Sequence, residues 1–143
     1  MNSDLESAKE LLATGQYTCV LCKSGVTHTS ANRGVRPLLE LLDSGNSYQG
    51  YSAADKVVGK ATAYLYVLLG VEAVYAQVIS EIAIEVLQKY QIPVSWSIVV
   101  PAITNRTQTG FCPMESAVRA IDTPEEALDA VRAVLLKLQQ EGK

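Results

Sequence analysis

The sequence is poor in the residues that most often carry catalytic or metal-binding chemistry. Its 143 residues include one histidine, His28, and three cysteines, an odd number that does not make a disulfide framework. Twelve basic residues stand against fifteen acidic ones, with no basic stripe, which argues against a nucleic-acid surface. The first ten residues contain no apolar run, and no apolar stretch is long enough to span a bilayer. These absences predict a cytoplasmic protein with reduced thiols that binds neither nucleic acid nor membranes.

Hydrophobic residues, in contrast, are abundant. They make up 48% of the chain, charged residues 19%, and the mean hydropathy is +0.13. A chain of this length and composition buries a sizeable core, so we expect one ordered domain over residues 1–143.

The order of apolar patterns and breaker residues predicts an alternation of helices and strands. A helix stopped by Gly15 precedes a hairpin that turns at Ser24-Gly25. The next helix has Pro37 in its first turn, and it is followed by a helix over 55–69 that is apolar on nearly all sides. A strand over 71–79 and a helix over 81–90 lead to a strand over 94–103, whose apolar run fits burial on both faces. A helix from Pro113 and an amphipathic helix from about 124 to 138 complete the predicted order.

A hairpin followed by alternating helices and strands implies a sheet that is antiparallel at the hairpin and parallel at the crossovers. With helices on both faces of such a sheet, the sequence predicts a three-layer α/β/α sandwich with a mixed sheet.

The candidate site lies where residues 55–63 and 110–115 each begin a helix with polar side chains and glycine. Free backbone N–H groups at such helix starts favour an anion. Within the first segment, Gly59 and Lys60 are candidate ligand-binding residues, with Lys60 as a cation facing Glu115 or an anionic ligand and Lys56 one turn earlier on the same face. Alternatively, both lysines extend to solvent from a helix end. Asp55 is interpreted as a helix-start acid favoured by the dipole.

The second segment offers a thiol and a carboxylate. Cys112 lies at the expected N-cap, where a helix start lowers a thiol pKa, so it is a candidate nucleophile, although only His28 could pair with it as a base. Glu115 either caps its own helix or forms a salt bridge with Lys60. Asn105 and Arg106 follow the last strong strand, where α/β proteins gather ligands, and are candidate pocket residues; an exposed loop arginine is the alternative.

Two further cysteines, Cys19 and Cys22, form a Cys-x-x-Cys pattern within a predicted strand. Residues three apart in a strand point to opposite faces, so we interpret both as small core hydrophobes rather than as metal or redox ligands.

The element order resembles the cytidine deaminase-like fold. In that family the central helix begins with a His or Cys zinc ligand followed two residues on by a catalytic Glu, and a later helix begins with Pro-Cys-x-x-Cys. Here the ligand would be Gly59 and the general base Ala61, and Cys112-Pro113-Met114-Glu115 supplies one thiol where two are needed. The departures argue against a zinc deaminase, and we expect no metal and no cofactor.

Residues 55–63 and 112–115, with the element order, make the chain similar to the DUF1893 family, uncharacterised prokaryotic proteins with a deaminase-like fold and no zinc motifs. The resemblance implies a pocket with some affinity for nucleotide-like metabolites.

Three functions follow as hypotheses. The first is binding of an anionic, nucleotide-like small molecule between the helix starts at Lys60 and Cys112. The second is an enzyme without zinc that uses Cys112 or a Lys60/Glu115 proton relay. The third is a structural homodimer with a vestigial pocket, suggested by the apolar composition and by Tyr64, Tyr66 and Tyr75.

Overall fold

A computed structural model describes residues 3–32, 35–103 and 113–141 of the chain. The described residues form five strands and six helices, which in chain order are α1 Ser3–Thr14, β1 Cys19–Lys23, β2 Val26–Ser30, α2 Arg36–Asp43, β3 Ser52–Val58, α3 Lys60–Leu69, β4 Ala73–Ser80, α4 Glu81–Lys89, β5 Val94–Val100, α5 Pro113–Val118 and α6 Pro124–Glu141.

The five strands form one mixed sheet in the order β2-β1-β3-β4-β5. The hairpin β1–β2 and the pair β1–β3 are antiparallel, whereas β3–β4 and β4–β5 are parallel and are joined by the crossover helices α3 and α4. Ser24 and Gly25 both have positive φ, as a two-residue hairpin turn of the observed twist requires. The predicted mixed sheet is therefore confirmed.

Helices cover both faces of this sheet. On one face α1 packs against β1 and β3, and Ala8, Leu12, Val20 and Ala54 form a small core there. The other face carries the larger core, which is centred on α3; α2, α4, α5 and α6 all contact α3. Tyr66 of α3 is completely buried in this core. The arrangement is the expected three-layer α/β/α sandwich.

The predicted helix over residues 55–69 is wrong in its first part. Residues Ser52–Val58 form β3, the central strand of the sheet, and the helix begins only at Lys60. The sequence Ser-Ala-Ala-Asp of β3 has no β-branched residue and no alternation, because both faces of a central strand are covered and small residues are needed beneath α1 and α3. Asp55 is thus a strand residue, not a helix-start acid, and Lys56 does not share a helix face with Lys60.

Strand β5 also differs from its prediction. We expected burial on both faces, but β5 is an edge strand, and Trp96, Ile98 and Val99 are 40%, 57% and 46% exposed. An apolar run alone does not distinguish a central strand from an unprotected edge.

The homodimer hypothesis loses the support of two of its three tyrosines, because Tyr64 and Tyr66 lie in the core.

Within the described ranges, the helices are too short or too polar to cross a membrane.

Candidate functional site

The beginning of α3 is closed by a carboxylate from a distant helix. Glu115 of α5 accepts a hydrogen bond from the backbone N–H of Lys60 at Oε1 (2.7 Å) and from that of Ala61 at Oε2 (2.9 Å). Two of the four N–H groups that have no partner within α3 are thereby paired, and the negative charge faces the positive end of the helix dipole. Glu115 therefore caps α3. The sequence analysis predicted, as one alternative, that Glu115 caps its own helix, and that alternative is wrong.

Gly59, the N-cap residue of α3, makes room for this carboxylate. Its backbone is extended, with φ −103° and ψ −174°, so its conformation does not require glycine. A Cβ atom there would lie 2.5 Å from Cδ and 2.7 Å from Oε2 of Glu115, far inside contact distance. A side chain at this position would therefore displace the Glu115 carboxylate.

Lys60 is buried, with 8% of its surface exposed, yet its ammonium is not paired with Glu115. Nζ donates a hydrogen bond to the backbone carbonyl of Arg119 (3.0 Å), at the end of α5, and lies 5.9 Å from the centre of the Tyr64 ring. No salt bridge between Lys60 and Glu115 is present among the described residues, so the predicted salt-bridge alternative is wrong. Both described contacts of Nζ are with neutral groups.

A cavity of about 220 Å³ opens beside these residues. Among the described lining residues, Lys60, Arg119 and Glu115 are charged and the others are apolar. Both carboxylate oxygens of Glu115 face backbone N–H groups, and the buried cation on this wall is Lys60. The cavity is lined by Lys60, Ile82, Pro101, Ala102, Glu115 and Arg119.

The structure brings together only part of the predicted site. Lys60, Gly59 and Glu115 meet at the start of α3, whereas the side chain of Lys56 is exposed on β3 and does not line the cavity. Asn105, Arg106 and Cys112 lie outside the described residues, so their part in a site stays a prediction. Arg119 was missed, because an arginine near the end of a short amphipathic helix reads as an ordinary surface residue.

A buried polar chain behind β3 was also missed. The Tyr66 hydroxyl donates to Asp55 Oδ2 (2.6 Å), and the Cys19 thiol lies 3.2 Å from the Tyr66 oxygen. Either the Cys19 thiol or the Tyr66 hydroxyl can donate in the second bond. The only sequence signal for these hydrogen-bonded groups is an acid within an apolar segment, Asp55. The tyrosine that contacts it, Tyr66, lies in the next helix.

Burial shifts the ionisation of these groups. It raises the pKa of Asp55 to about 7, although hydrogen bonds from Tyr66, Val57 and Lys56 oppose the change. Burial, together with the nearby Asp55, also raises the pKa of the Cys19 thiol and that of Tyr66 far above their usual values. Cys19 is thus a neutral, unreactive core thiol. Cys19 and Cys22 are both buried, on opposite faces of the sheet, as predicted.

A second cavity, of about 290 Å³, lies between the hairpin and α2, far in sequence from the predicted site. Cys19 and Leu21 form part of its wall, with His28 and Glu40. In the ranges that the structure describes, no three His, Cys, Asp or Glu side chains converge in a way that could hold a metal ion.

Several solved structures and one family model are similar to this chain. Deaminases are among the structural neighbours: the apo dCMP deaminase of cyanophage S-TIM5 superposes with a TM-score of 0.46 at 14% identity, over 66% of this chain and 94% of that one. A diaminohydroxyphosphoribosylaminopyrimidine deaminase/5-amino-6-(5-phosphoribosylamino)uracil reductase of Thermotoga maritima gives 0.42 at 15% identity, over 66% of this chain and 35% of that one.

A much fuller match is TM1506 of Thermotoga maritima, a DUF1893 family protein. It has a TM-score of 0.84 at 26% identity, over 96% of this chain and 91% of that one. The family model described as "TM1506: Domain of unknown function (DUF1893)" matches residues 7–135. The chain therefore belongs to the DUF1893 family, as the resemblance implied. Comparison with curated proteins finds no match.

Proposed function

We propose that this DUF1893 protein binds a small anionic, nucleotide-like metabolite in the cavity beside Lys60. The observation that supports the proposal most directly is a buried ammonium on the wall of that cavity whose described contacts are neutral. A buried charge is costly unless a counter-charge or a set of hydrogen bonds compensates it. An anionic ligand would supply that counter-charge.

The charge balance of the cavity favours an anion over a cation. Among the described lining residues, Lys60 and Arg119 are positively charged, and the carboxylate of Glu115 is directed at the backbone of α3. A phosphate or carboxylate near Lys60 would gain charge-assisted hydrogen bonds without breaking the Glu115 cap.

The apolar wall supports a ligand that also carries a ring or another flat apolar part. Ile82, Pro101 and Ala102 form this wall. At about 220 Å³ the volume is below the ~300–1,000 Å³ usual for drug-sized ligands, so we expect it to enclose one part of a nucleotide rather than the whole molecule.

The two other hypotheses gain less support. A Lys60/Glu115 proton relay needs the two side chains within hydrogen-bond reach, and their described partners are backbone groups instead. A vestigial pocket is favoured by one observation: the N–H groups that could have held a ligand's anion are paired with Glu115. A thermal-shift series with candidate ligands separates the vestigial-pocket hypothesis from ligand binding.

The test is a thermal-shift series with AMP, ADP-ribose, adenosine and inorganic phosphate. We would compare the wild type with Lys60→Met, which keeps the length of the side chain and removes its charge. Lys56→Met is the matched control, because that lysine is exposed and does not line the cavity. Ligand concentration must exceed Kd for a shift to appear.

We expect AMP or ADP-ribose to raise the Tm of the wild type and of Lys56→Met, and not that of Lys60→Met. Equal shifts in all three proteins would place binding elsewhere and refute the proposed site. No shift with any of the four compounds would favour the vestigial pocket.

A further inference from the structure

Three buried polar side chains form a hydrogen-bonded network that ends at the cavity between the hairpin and α2. Asp55 Oδ2 and the Tyr66 hydroxyl oxygen are 2.6 Å apart, and that oxygen lies 3.2 Å from Sγ of Cys19. All three residues are buried. Because Cys19 also forms part of the wall of the cavity of about 290 Å³, the Asp55–Tyr66–Cys19 network joins the core beneath α3 to that wall.

In the described part of the chain, the groups that face the Asp55 carboxyl are neutral. Tyr66 comes from α3, and β1 and β4 place Cys19 and Ala76 beside Asp55. Helix α1 packs on the opposite face of the sheet, and the exposed Lys56, next along β3, also points away from Asp55. Neither described salt bridge includes Asp55. A buried carboxylate without a counter-charge is costly, so these surroundings favour the protonated acid.

The partners of the two carboxyl oxygens determine where the acid proton of Asp55 lies. Oδ1 accepts a hydrogen bond from the backbone N–H of Val57 (3.3 Å), and an N–H group cannot accept one in return. Oδ2 faces the Tyr66 hydroxyl, which can both donate and accept. The acid proton therefore belongs on Oδ2, where it is donated to the Tyr66 oxygen.

A proton on Oδ2 reverses the rest of the network. Tyr66 donates to Oδ2 only while that oxygen carries no proton, and when Tyr66 accepts from Asp55 its own proton is directed at its second partner, Cys19 Sγ. Either atom of the Tyr66–Cys19 pair can donate, so both directions fit the same positions of the heavy atoms. The thiol that no longer donates to Tyr66 can turn its proton towards the cavity.

We propose that Asp55 is protonated at low pH and that its ionisation reverses the network, turning the Cys19 thiol proton from the cavity to Tyr66. At low pH Asp55 donates to Tyr66 and Tyr66 donates to Cys19; at high pH Cys19 donates to Tyr66 and Tyr66 donates to Asp55. The proton that Asp55 loses goes to solvent, and Tyr66 and Cys19 keep one proton each. The cavity wall thus presents an S–H donor at low pH and a sulfur acceptor at high pH.

The reversal takes place close to neutrality. Burial raises the pKa of Asp55 to about 7, although the hydrogen bond from Tyr66 opposes the change. Ordinary carboxyl groups titrate near pH 4, so the transition of Asp55 is separated from theirs.

Infrared difference spectroscopy tests the proposal, because it detects a carboxylic acid and a thiol in the same sample. In a Cys112→Ser background, the carbonyl band of protonated Asp55 should disappear with a midpoint at about pH 7. The S–H band of Cys19 should move to lower frequency with the same midpoint, because a thiol that donates a hydrogen bond absorbs at lower frequency. Cys22 is the internal control, since its described partner is Thr27 and its band should not follow Asp55.

Two substitutions in the network separate its reversal from a general effect of pH. In Tyr66→Phe the acid band should still titrate while the Cys19 band stays fixed, because the link between the two groups is broken. In Asp55→Asn both changes should be lost, whereas Asp122→Asn, which alters an exposed acid, should leave them intact. Circular dichroism would verify that each variant is folded.

A common midpoint for the two bands supports the proposal, and the Cys112→Ser protein alone is enough to overturn it. A Cys19 band that stays fixed while the Asp55 acid band titrates would show that the network does not reverse. The absence of an Asp55 acid band at low pH would overturn the proposal too, and so would a Cys19 shift that persists in Asp55→Asn. These outcomes do not depend on the ligand proposal, since the network does not include Lys60.

Discussion

The carboxylate of Glu115 stands where a side chain of Gly59 would be, with its Cδ atom 2.5 Å from the position that a Cβ would take. Residues that are far apart in the chain thus form one N-terminal cap for α3, glycine supplying the space and glutamate the charge. The cap leaves the Lys60 ammonium beside the cavity with a neutral carbonyl as its hydrogen-bond partner. The proposed ligand site depends on this arrangement.

The substitution Gly59→Ala should displace Glu115 and lower the free energy of unfolding by about 2 kcal/mol, the cost of a lost charged cap together with local strain. Chemical denaturation measures the change. In a Glu115→Ala background the same substitution should cost less than about 1 kcal/mol, because the clash is gone. Equal costs in the two backgrounds would show that the two residues do not interact.

The charge of Glu115 should matter as well as its shape. Glu115→Gln keeps the shape but turns one hydrogen-bond acceptor into a donor that faces an N–H, so we expect a loss of about 1–2 kcal/mol in unfolding free energy. Glu125→Gln, an exposed acid in the first turn of α6, is the control and should change stability by less than about 0.5 kcal/mol. Similar small losses for both variants would count against the cap.

Asp55 should make stability depend on pH below neutrality. Its pKa is about 7 in the folded chain and 3.8 in the ordinary state, so between these values the folded protein holds a proton that the unfolded chain releases. The free energy of unfolding should therefore fall as pH rises from 4 to 7, by at most about 1.4 kcal/mol per pH unit from this one group.

The variant Asp55→Asn should remove that dependence, since the amide has nothing to titrate. Urea denaturation at several pH values would show the stability of the wild type falling relative to the variant over this range. Asp122→Asn, an exposed acid before α6, should follow the wild type. Parallel curves for the wild type and Asp55→Asn would contradict a raised pKa at Asp55.

The two thiols of β1 should be unreactive in the native protein. Cys19 and Cys22 are 4% and 3% exposed, and burial raises the pKa of Cys19. In a Cys112→Ser variant we expect no rapid labelling by a thiol reagent at neutral pH, and two labelled thiols after denaturation. Rapid labelling of the native variant would mean that β1 opens or is less buried than described.

Local sequence signals were enough to predict much of the fold. Ser24-Gly25 at the hairpin turn and the prolines at the starts of α5 and α6 fix their elements through backbone conformation, which a sequence displays directly. Strand β3 was missed because its residues are set by what packs on its two faces. Whether β5 is central or at an edge depends on strand order, which the chain does not encode locally.

The candidate site, like the fold, was predicted only in part from the sequence. Glu115 was predicted either to cap its own helix or to form a salt bridge with Lys60. Its carboxylate instead accepts hydrogen bonds from two backbone N–H groups at the start of α3. The sequence around Gly59 does not indicate which side chain occupies the space beside it. Arg119 and Asp55 acquire their surroundings only through tertiary packing, which brings α5 to the start of α3 and Tyr66 over β3.

Amide NMR of the ¹⁵N-labelled protein titrated with AMP tests the central claim most directly. The account predicts that signals of the cavity wall, from Lys60, Ile82, Ala102 and Arg119, shift together with one saturation curve, while hairpin signals such as Thr27 stay in place. In Lys60→Met the same titration should leave the cavity signals unmoved. Shifts confined to the hairpin and α2, or cavity shifts that persist unchanged in Lys60→Met, would contradict the account.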